Sequence, residues 1–149
     1  VLALTSVPTG KYGVIENRAE RRRMELLEHN IDFTISSPFN DRLELSQHKS
    51  FYGTPLYEKG IIFTAEQDKG YILGLVLQHF KFIPKKIIFI DDMLKNLQSV
   101  AKLCKARNID YLGIYYNPIE QMPQDENYDE KREIHRMRQL QENKVWQGN

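Results

Sequence analysis

The apolar positions change their period several times along the chain, and each change marks an element. Residues 1–4 (Val-Leu-Ala-Leu) form a short continuous apolar run, ended by Thr5-Ser6 and then Pro8-Thr9-Gly10. That pattern predicts a strand followed by a loop. Residues 16–29 carry Ala19, Met24, Leu26 and Leu27 among dense charge, with Asn30 placed as a C-cap. An amphipathic helix is expected there, with a solvated face at Arg21, Arg22 and Arg23. Glu20, Glu25 and Glu28 interleave with those arginines and neutralise them as a nucleic-acid patch. Residues 31–35 (Ile-Asp-Phe-Thr-Ile) alternate and are β-branched, which predicts a second strand. From 36 to 59, Pro, Gly, Asn and aromatic residues replace any helical period. Loops and short extended pieces are expected, among them 42–45 and a turn at 52–55. Residues 60–64 (Gly-Ile-Ile-Phe-Thr) read as another strand. A helix over about 67–80 follows, with Ile72, Leu73, Val76, Leu77 and Phe80 on one stripe.

Pro84 breaks the chain before Ile87-Ile88-Phe89-Ile90, a continuous apolar run closed by Asp91-Asp92. Such a run is expected of a central parallel strand buried on both faces. A helix over 94–106 places Leu97, Val100, Ala101 and Cys104 on its apolar side, and 110–116 is a last strand. The alternation of helix and strand predicts an α/β fold with a parallel sheet and right-handed crossovers. Beyond Pro118 the chain turns polar, and 129–144 is helical with a narrow stripe of Ile134, Met137 and Leu140. Val145 and Trp146 lie near its end. This helix is expected to dock on the sheet's flank or on a second subunit, with His135 solvated. The organisation expected is a core over 1–118 and a helical extension over 119–149.

Composition narrows the classes. The chain has 149 residues, 41% hydrophobic and 28% charged, enough for a buried core and too apolar for a disordered chain. With 21 Lys and Arg against 20 Asp and Glu, the net charge is +1, which gives no basic footprint for nucleic acid. No apolar run approaches the roughly 20 residues of a membrane-spanning helix. Cys104 is the only cysteine, so an internal disulfide is excluded, which fits a reducing compartment. Because the first residues already read as a buried strand, N-terminal sequence is expected to be missing before Val1.

Three polar sites fall where an open α/β sheet places ligands, beyond the carboxyl ends of strands. Thr5-Ser6 follows the first strand, Lys69 opens a helix, and Asp91-Asp92 follows Ile87-Ile88-Phe89-Ile90, with Asn96 one helical turn later. Hydroxyls and backbone N–H groups hold phosphate oxygens, and a lysine neutralises their charge. Carboxylates at a strand end suit Mg²⁺, which prefers hard oxygen ligands and keeps several waters. Adjacent strand residues point to opposite faces, so one aspartate of the pair is expected to be the direct ligand.

Taken together, these residues resemble the haloacid-dehalogenase-like (HAD) superfamily of phosphohydrolases, in a bacterial-type branch. Val-Leu-Ala-Leu-Thr-Ser looks like its second motif, Lys69 like the third-motif lysine, and Ile-Ile-Phe-Ile-Asp-Asp-Met-Leu-Lys-Asn-Leu like the acidic fourth motif. The resemblance covers residues 1 to about 116. It implies a Rossmann-like core and a Mg²⁺-dependent phosphatase acting on a small phosphorylated substrate in the cytoplasm, with export left open by the missing N-terminus. It further implies that Thr5 and Ser6 bind the phosphoryl group, that Lys69 binds and stabilises it, and that Asp92 holds Mg²⁺ with Asp91 beside it and Asn96 in support. The family's aspartyl nucleophile motif should precede Thr5 and is absent, so this chain alone is expected to be inactive. A homo-oligomer or the missing segment is the further partner expected.

The stretch 36–59 lies where that superfamily inserts a cap, and a small β-rich flap is expected. In it Phe39, Tyr52 and Tyr57 would line the substrate entrance, and His48 would be an exposed loop residue. The rival reading is a relative that keeps the fold to bind phosphate, metal or a partner without catalysis. A phosphorelay receiver is disfavoured by the order Thr5, Lys69, Asp91-Asp92. A dinucleotide-binding domain lacks its Gly-x-Gly-x-x-Gly, and a serine hydrolase its Gly-x-Ser-x-Gly.

Overall fold

The computed structural model describes residues 1–117, together with 131, 134, 135 and 138. The chain divides into two compact units, residues 1–116 and 117–149, and the architecture below is that of the first. The expected helix over 129–144 lies outside the described residues except at Lys131, Ile134, His135 and Arg138, which are helical.

Six short strands and three helices build a mixed α/β unit. β1 (Ala3–Thr5) runs parallel to β4 (Ile61–Phe63), with Ala3 opposite Ile61. β4 pairs antiparallel with β3 (Leu56–Glu58), which pairs antiparallel with β2 (Leu43–Glu44). The sheet order is β1-β4-β3-β2. A second, two-stranded sheet joins β5 (Lys86–Asp91) in parallel to β6 (Asp110–Tyr115). Between them runs α3 (Leu94–Ala106), completing a β–α–β unit.

The wholly parallel sheet expected from the sequence is therefore corrected to a mixed one. The reason lies in residues 36–59. Leu43 and Leu56 are buried and Tyr57 is fully so, which draws β2 and β3 onto β4 as an antiparallel extension of the main sheet. The segment does not stand apart as a flap. The strand expected at 31–35 is also absent. Asp32 Oδ1 accepts hydrogen bonds from the Thr34 N–H at 2.8 Å and the Thr34 hydroxyl at 2.6 Å, closing a local turn that outcompetes extended pairing. Nor is β5 covered on both faces: Ile88 and Ile90 are each 59% exposed, while Ile87 and Phe89 pack against the core.

Period-two alternation sorts the main sheet into two apolar faces. Ile61, Phe63 and Leu56 join Ala19 on one side, beneath α1 (Arg18–Glu28). Ile62 and Tyr57 face the other way, onto Ile72, Leu73, Val76 and Leu77 of α2 (Lys69–His79). Helix starts are capped by short polar side chains: Asn17 Oδ1 accepts from the Glu20 N–H, and Asp68 Oδ1 from the Tyr71 N–H. After α1 the chain turns through Asn30 in the left-handed region, as the sequence anticipates. Two glycines set how closely α2 meets α3. A Cβ on Gly70 would collide with the Ser99 backbone, and one on Gly74 would reach the Leu103 side chain.

Phe39 and Tyr57, expected at a substrate entrance, are core residues. Phe39 stacks on Phe80 with centroids 4.2 Å apart, and the Tyr57 hydroxyl donates to the Phe39 carbonyl at 2.6 Å. Tyr52 is exposed against Phe51. His48 is half-buried in the short 3-10 turn Ser46–His48, its Nδ1 3.1 Å from the Tyr71 hydroxyl.

Candidate functional site

The carboxyl end of β5 and the start of α2 meet in a buried ion pair. Lys69 Nζ donates to Asp91 Oδ2 at 2.7 Å, and both side chains are almost fully enclosed. The other carboxylate oxygen, Oδ1, accepts from the Met93 N–H at 2.9 Å and from Asn96 Nδ2 at 2.8 Å. Asp91 thus serves the first turn of α3, where Met93 as N-cap offers no side-chain hydrogen bond. Burial by itself would push the Asp91 carboxyl up, but hydrogen bonds from Lys69, Asn96 and the Met93 N–H outweigh it and hold the carboxyl below its ordinary value. Lys69 also stands 5.7 Å from the Phe89 ring centroid.

A second network fixes the same end of α2. Ser99 Oγ accepts from the Gly70 N–H at 2.8 Å and donates to Asp68 Oδ1. The loop that delivers α2 is strained: Ala65 and Glu66 are consecutive non-glycine residues with φ of 50° and 63°. It is held by the Glu66 N–H on the Ser6 carbonyl at 3.0 Å and by Gln67 Nε2 on the His48 carbonyl at 2.7 Å. The Thr64 hydroxyl at its head is buried and has no hydrogen-bond partner among the described residues. Strain and an unpaired hydroxyl at one loop are a cost that surrounding structure must offset, and such costs concentrate at functional sites.

The structure brings part of the expected set together. Asn96, Asp91 and Lys69 form one hydrogen-bonded chain. Ser6 and Asn96 line a common cavity of about 460 Å³, with Glu66, Gln67, Asp68 and Lys95. Thr5 does not line that cavity; it is half-buried, and its hydroxyl accepts from the Val7 N–H at 3.3 Å. Of the aspartate pair, Asp91 is enclosed and Asp92 is exposed. Strand alternation accounts for that split. The roles of Asp68 and Ser99 are absent from the sequence reading; the signal for them is Gly70, whose missing side chain lets α3 approach the first turn of α2.

The donor chemistry also tests the expected cation. Three donors already engage the Asp91 oxygens, and among the described residues no three His, Cys, Asp or Glu side chains stand together to hold a metal ion. The described side chains around Asp91 do not by themselves make a Mg²⁺ site, and Asp92, the ligand the resemblance implied, lies exposed beside them.

Comparisons with known proteins overturn the HAD resemblance. The family that matches is described as "Protein of unknown function (DUF2608)", over residues 1–145. A "Putative outer membrane protein" of Chlamydia muridarum is 43% identical over 60 residues, 40% of this chain and 23% of that protein. One of the same name from Chlamydia trachomatis is 36% identical over 67 residues, 45% of this chain and 26% of that one. A Chlamydia pneumoniae relative is 28% identical over 109 residues, 68% of this chain and 40% of its own length. The matched stretches therefore span well under two thirds of these relatives. No solved structure matches the chain. The hydrolase and phosphatase labels that rested on the HAD motifs fall with the resemblance, and the cytoplasmic location gives way to relatives named for the outer membrane. By its match from the first residue to near the last, the chain belongs to the DUF2608 family.

Proposed function

We propose that the rim formed by Ser6, Lys69 and Asn96 binds a small phosphate-bearing ligand. The Lys69 ammonium carries this reading. It is buried, fixed at 2.7 Å by Asp91, and brings three protons to a place where the described residues give it one carboxylate oxygen. A phosphate oxygen is the natural acceptor for the donors that remain. The neighbouring cavity supports the reading with a hydroxyl from Ser6, an amide from Asn96 and a second ammonium from Lys95. Asp68, the N-cap of α2, and the first turn of α3 both border that cavity, and helix N-termini favour anions. Glu66 and Asp68 share it and set a limit on net charge, which favours one phosphate group over a polyanion.

The reading is one of binding. Asp91 is held toward Lys69, Met93 and Asn96 and does not act as a nucleophile. The relatives' printed names extend the proposal to location, and we place this binding in the bacterial envelope. No helix among the described residues is long and apolar enough to cross a membrane.

Titration of the protein with phenyl phosphate, followed by amide chemical shifts, tests the site. The expected result is saturable shifts at Ser6, Asn96 and the first turn of α2, weakened several-fold in Ser6→Ala. Shifts that do not saturate, or that cluster elsewhere, overturn it. Equal saturation with phenyl sulfonate would show an oxyanion site without preference for phosphate.

A further inference from the structure

Among the described residues, the main sheet ends at β1 and the small sheet ends at β5. Both edges border one groove. It is a cavity of about 420 Å³ lined by Leu2 just before the first strand and Leu4 within it, Ile88 and Phe89 of the fifth, and Leu73 and Leu77 of α2. The two edges run in the same direction. Val1 and Lys86, at the amino ends, share this groove, while Ser6 and Met93, beyond the carboxyl ends, share the cavity described above.

The peptide groups show what the groove is shaped to receive. The Ala3 N–H donates to the Gly60 carbonyl and the Thr5 carbonyl accepts from the Thr64 N–H, so Ala3 and Thr5 face β4. Leu2 and Leu4, one residue out of step, turn their N–H and C=O groups to the groove. On the other side, the Lys85 carbonyl accepts from the Asp110 N–H and the Asp91 carbonyl from the Tyr116 N–H. Ile87, Phe89 and Asp91 therefore face β6, and Lys86, Ile88 and Ile90 turn their peptide groups to the groove. Two rows of backbone groups with no strand partner among the described residues face each other across an apolar trough, and an open edge is a template for another strand.

We propose that a β-strand from outside residues 1–117 lies between β1 and β5, parallel to both, and joins the two sheets into one. Its chemistry follows from its surroundings. With strands on both edges and α2 beneath it, it is a short continuous apolar run, of the kind that central parallel strands carry. Its source is the additional sequence of the longer relatives, one of which, with 60 matched residues making up 23% of its length, runs to about 260 residues against 149 here. The carboxyl end of such a strand comes out beside Ser6 and Met93, at the rim of the site.

Overlapping peptides covering the Chlamydia muridarum relative outside its matched 60 residues are the probes, added singly to this protein. Backbone amide hydrogen exchange is the readout. One apolar peptide is expected to slow exchange about tenfold or more at Leu4, Ile88 and Ile90, with little change at Ala3, Ile87 and Phe89. Leu4→Pro removes a groove-facing N–H while sparing the β4 pairing, and Ile88→Pro does the same on the other edge. Either is expected to abolish the protection with the fold intact by circular dichroism. If no peptide protects these amides, or if protection ignores the alternation, the proposal is overturned. Protection that rises with the protein's own concentration, without peptide, would overturn it in favour of edge pairing between copies.

Discussion

Replacing Lys69 with methionine keeps the length and apolar stem of the side chain and removes only its charge. Asp91 is then a carboxylate with a side chain only 4% exposed and no counter-ion. Removing one partner of a buried pair costs about 3–5 kcal/mol, because the remaining charge stays desolvated. At about 2–4 °C per kcal/mol for a chain of this size, Tm should fall by roughly 6–20 °C. The pH dependence carries the diagnosis. In the wild type the Asp91 carboxyl is held below its ordinary value, so its contribution is full at neutral pH and is lost as the pH falls through the folded-state value. In Lys69→Met, burial pushes that carboxyl upward, and protonation in mild acid relieves it. The stability gap between the two proteins should therefore be widest near neutrality and narrow toward about pH 4, close to the unpaired carboxyl value. Urea melts at several pH values measure this directly. Lys69→Met/Asp91→Asn, which removes both charges and keeps an acceptor for Met93 and Asn96, should recover about 2 kcal/mol or more. A gap below about 1 kcal/mol, or one that does not change with pH, would show a pair screened like a surface salt bridge and refute the reasoning.

Gly70→Ala should destabilise by about 1–3 kcal/mol, because its Cβ meets the Ser99 backbone as well as the Ser99 hydroxyl; an unchanged urea midpoint would show that α2 and α3 can separate freely. Tyr57→Phe strands the Gly60 N–H inside the core, leaves the Phe39 carbonyl to the Ser37 hydroxyl alone, and should cost about 1–3 kcal/mol by the same melt, with secondary structure unchanged. Ser99→Ala removes the acceptor of the Gly70 N–H and a donor to Asp68, and should lower stability by about 1–2 kcal/mol. In that variant, amide exchange should quicken at Gly70 and Tyr71 before it does at Val76.

The helices were legible from their apolar stripes, and two of the three also carry a polar residue at the start. Asn17 and Asp68 are capping residues, and Asn30 adopts the left-handed turn its type favours. The strands around Ile62 and Phe89 were equally plain from their apolar runs. Their partners were not, because pairing depends on residues far along the chain. Nothing local to Leu56 or Leu43 says that they will lie antiparallel beside β4. The segment 31–35 failed for the opposite reason: an alternating pattern with β-branched side chains lost to one carboxylate, Asp32, that bonds its neighbour two residues on. At the site, Lys69, Asp91 and Asn96 were visible from their places beside strands and helix starts. Which aspartate turns inward was not visible, since that depends on the phase of a strand whose ends pattern alone fixes only to within a few residues.

The two sheets differ in how far the chain must travel to form them. β5 and β6 meet across a single helix, with Lys86 beside Asp110, whereas β1 must find β4 across most of the first half of the unit, with Ala3 beside Ile61. Closing the longer loop costs more entropy before any contact offsets it. The β5–α3–β6 unit, with α2 laid on it through Gly70 and Gly74, is thus the natural place for folding to begin. The order of events gives the open groove a kinetic meaning. Until β1 arrives on its late, long-range contact, the outer edge of β5 has no opposite wall. During that interval the chain is most open to pairing with the wrong strand.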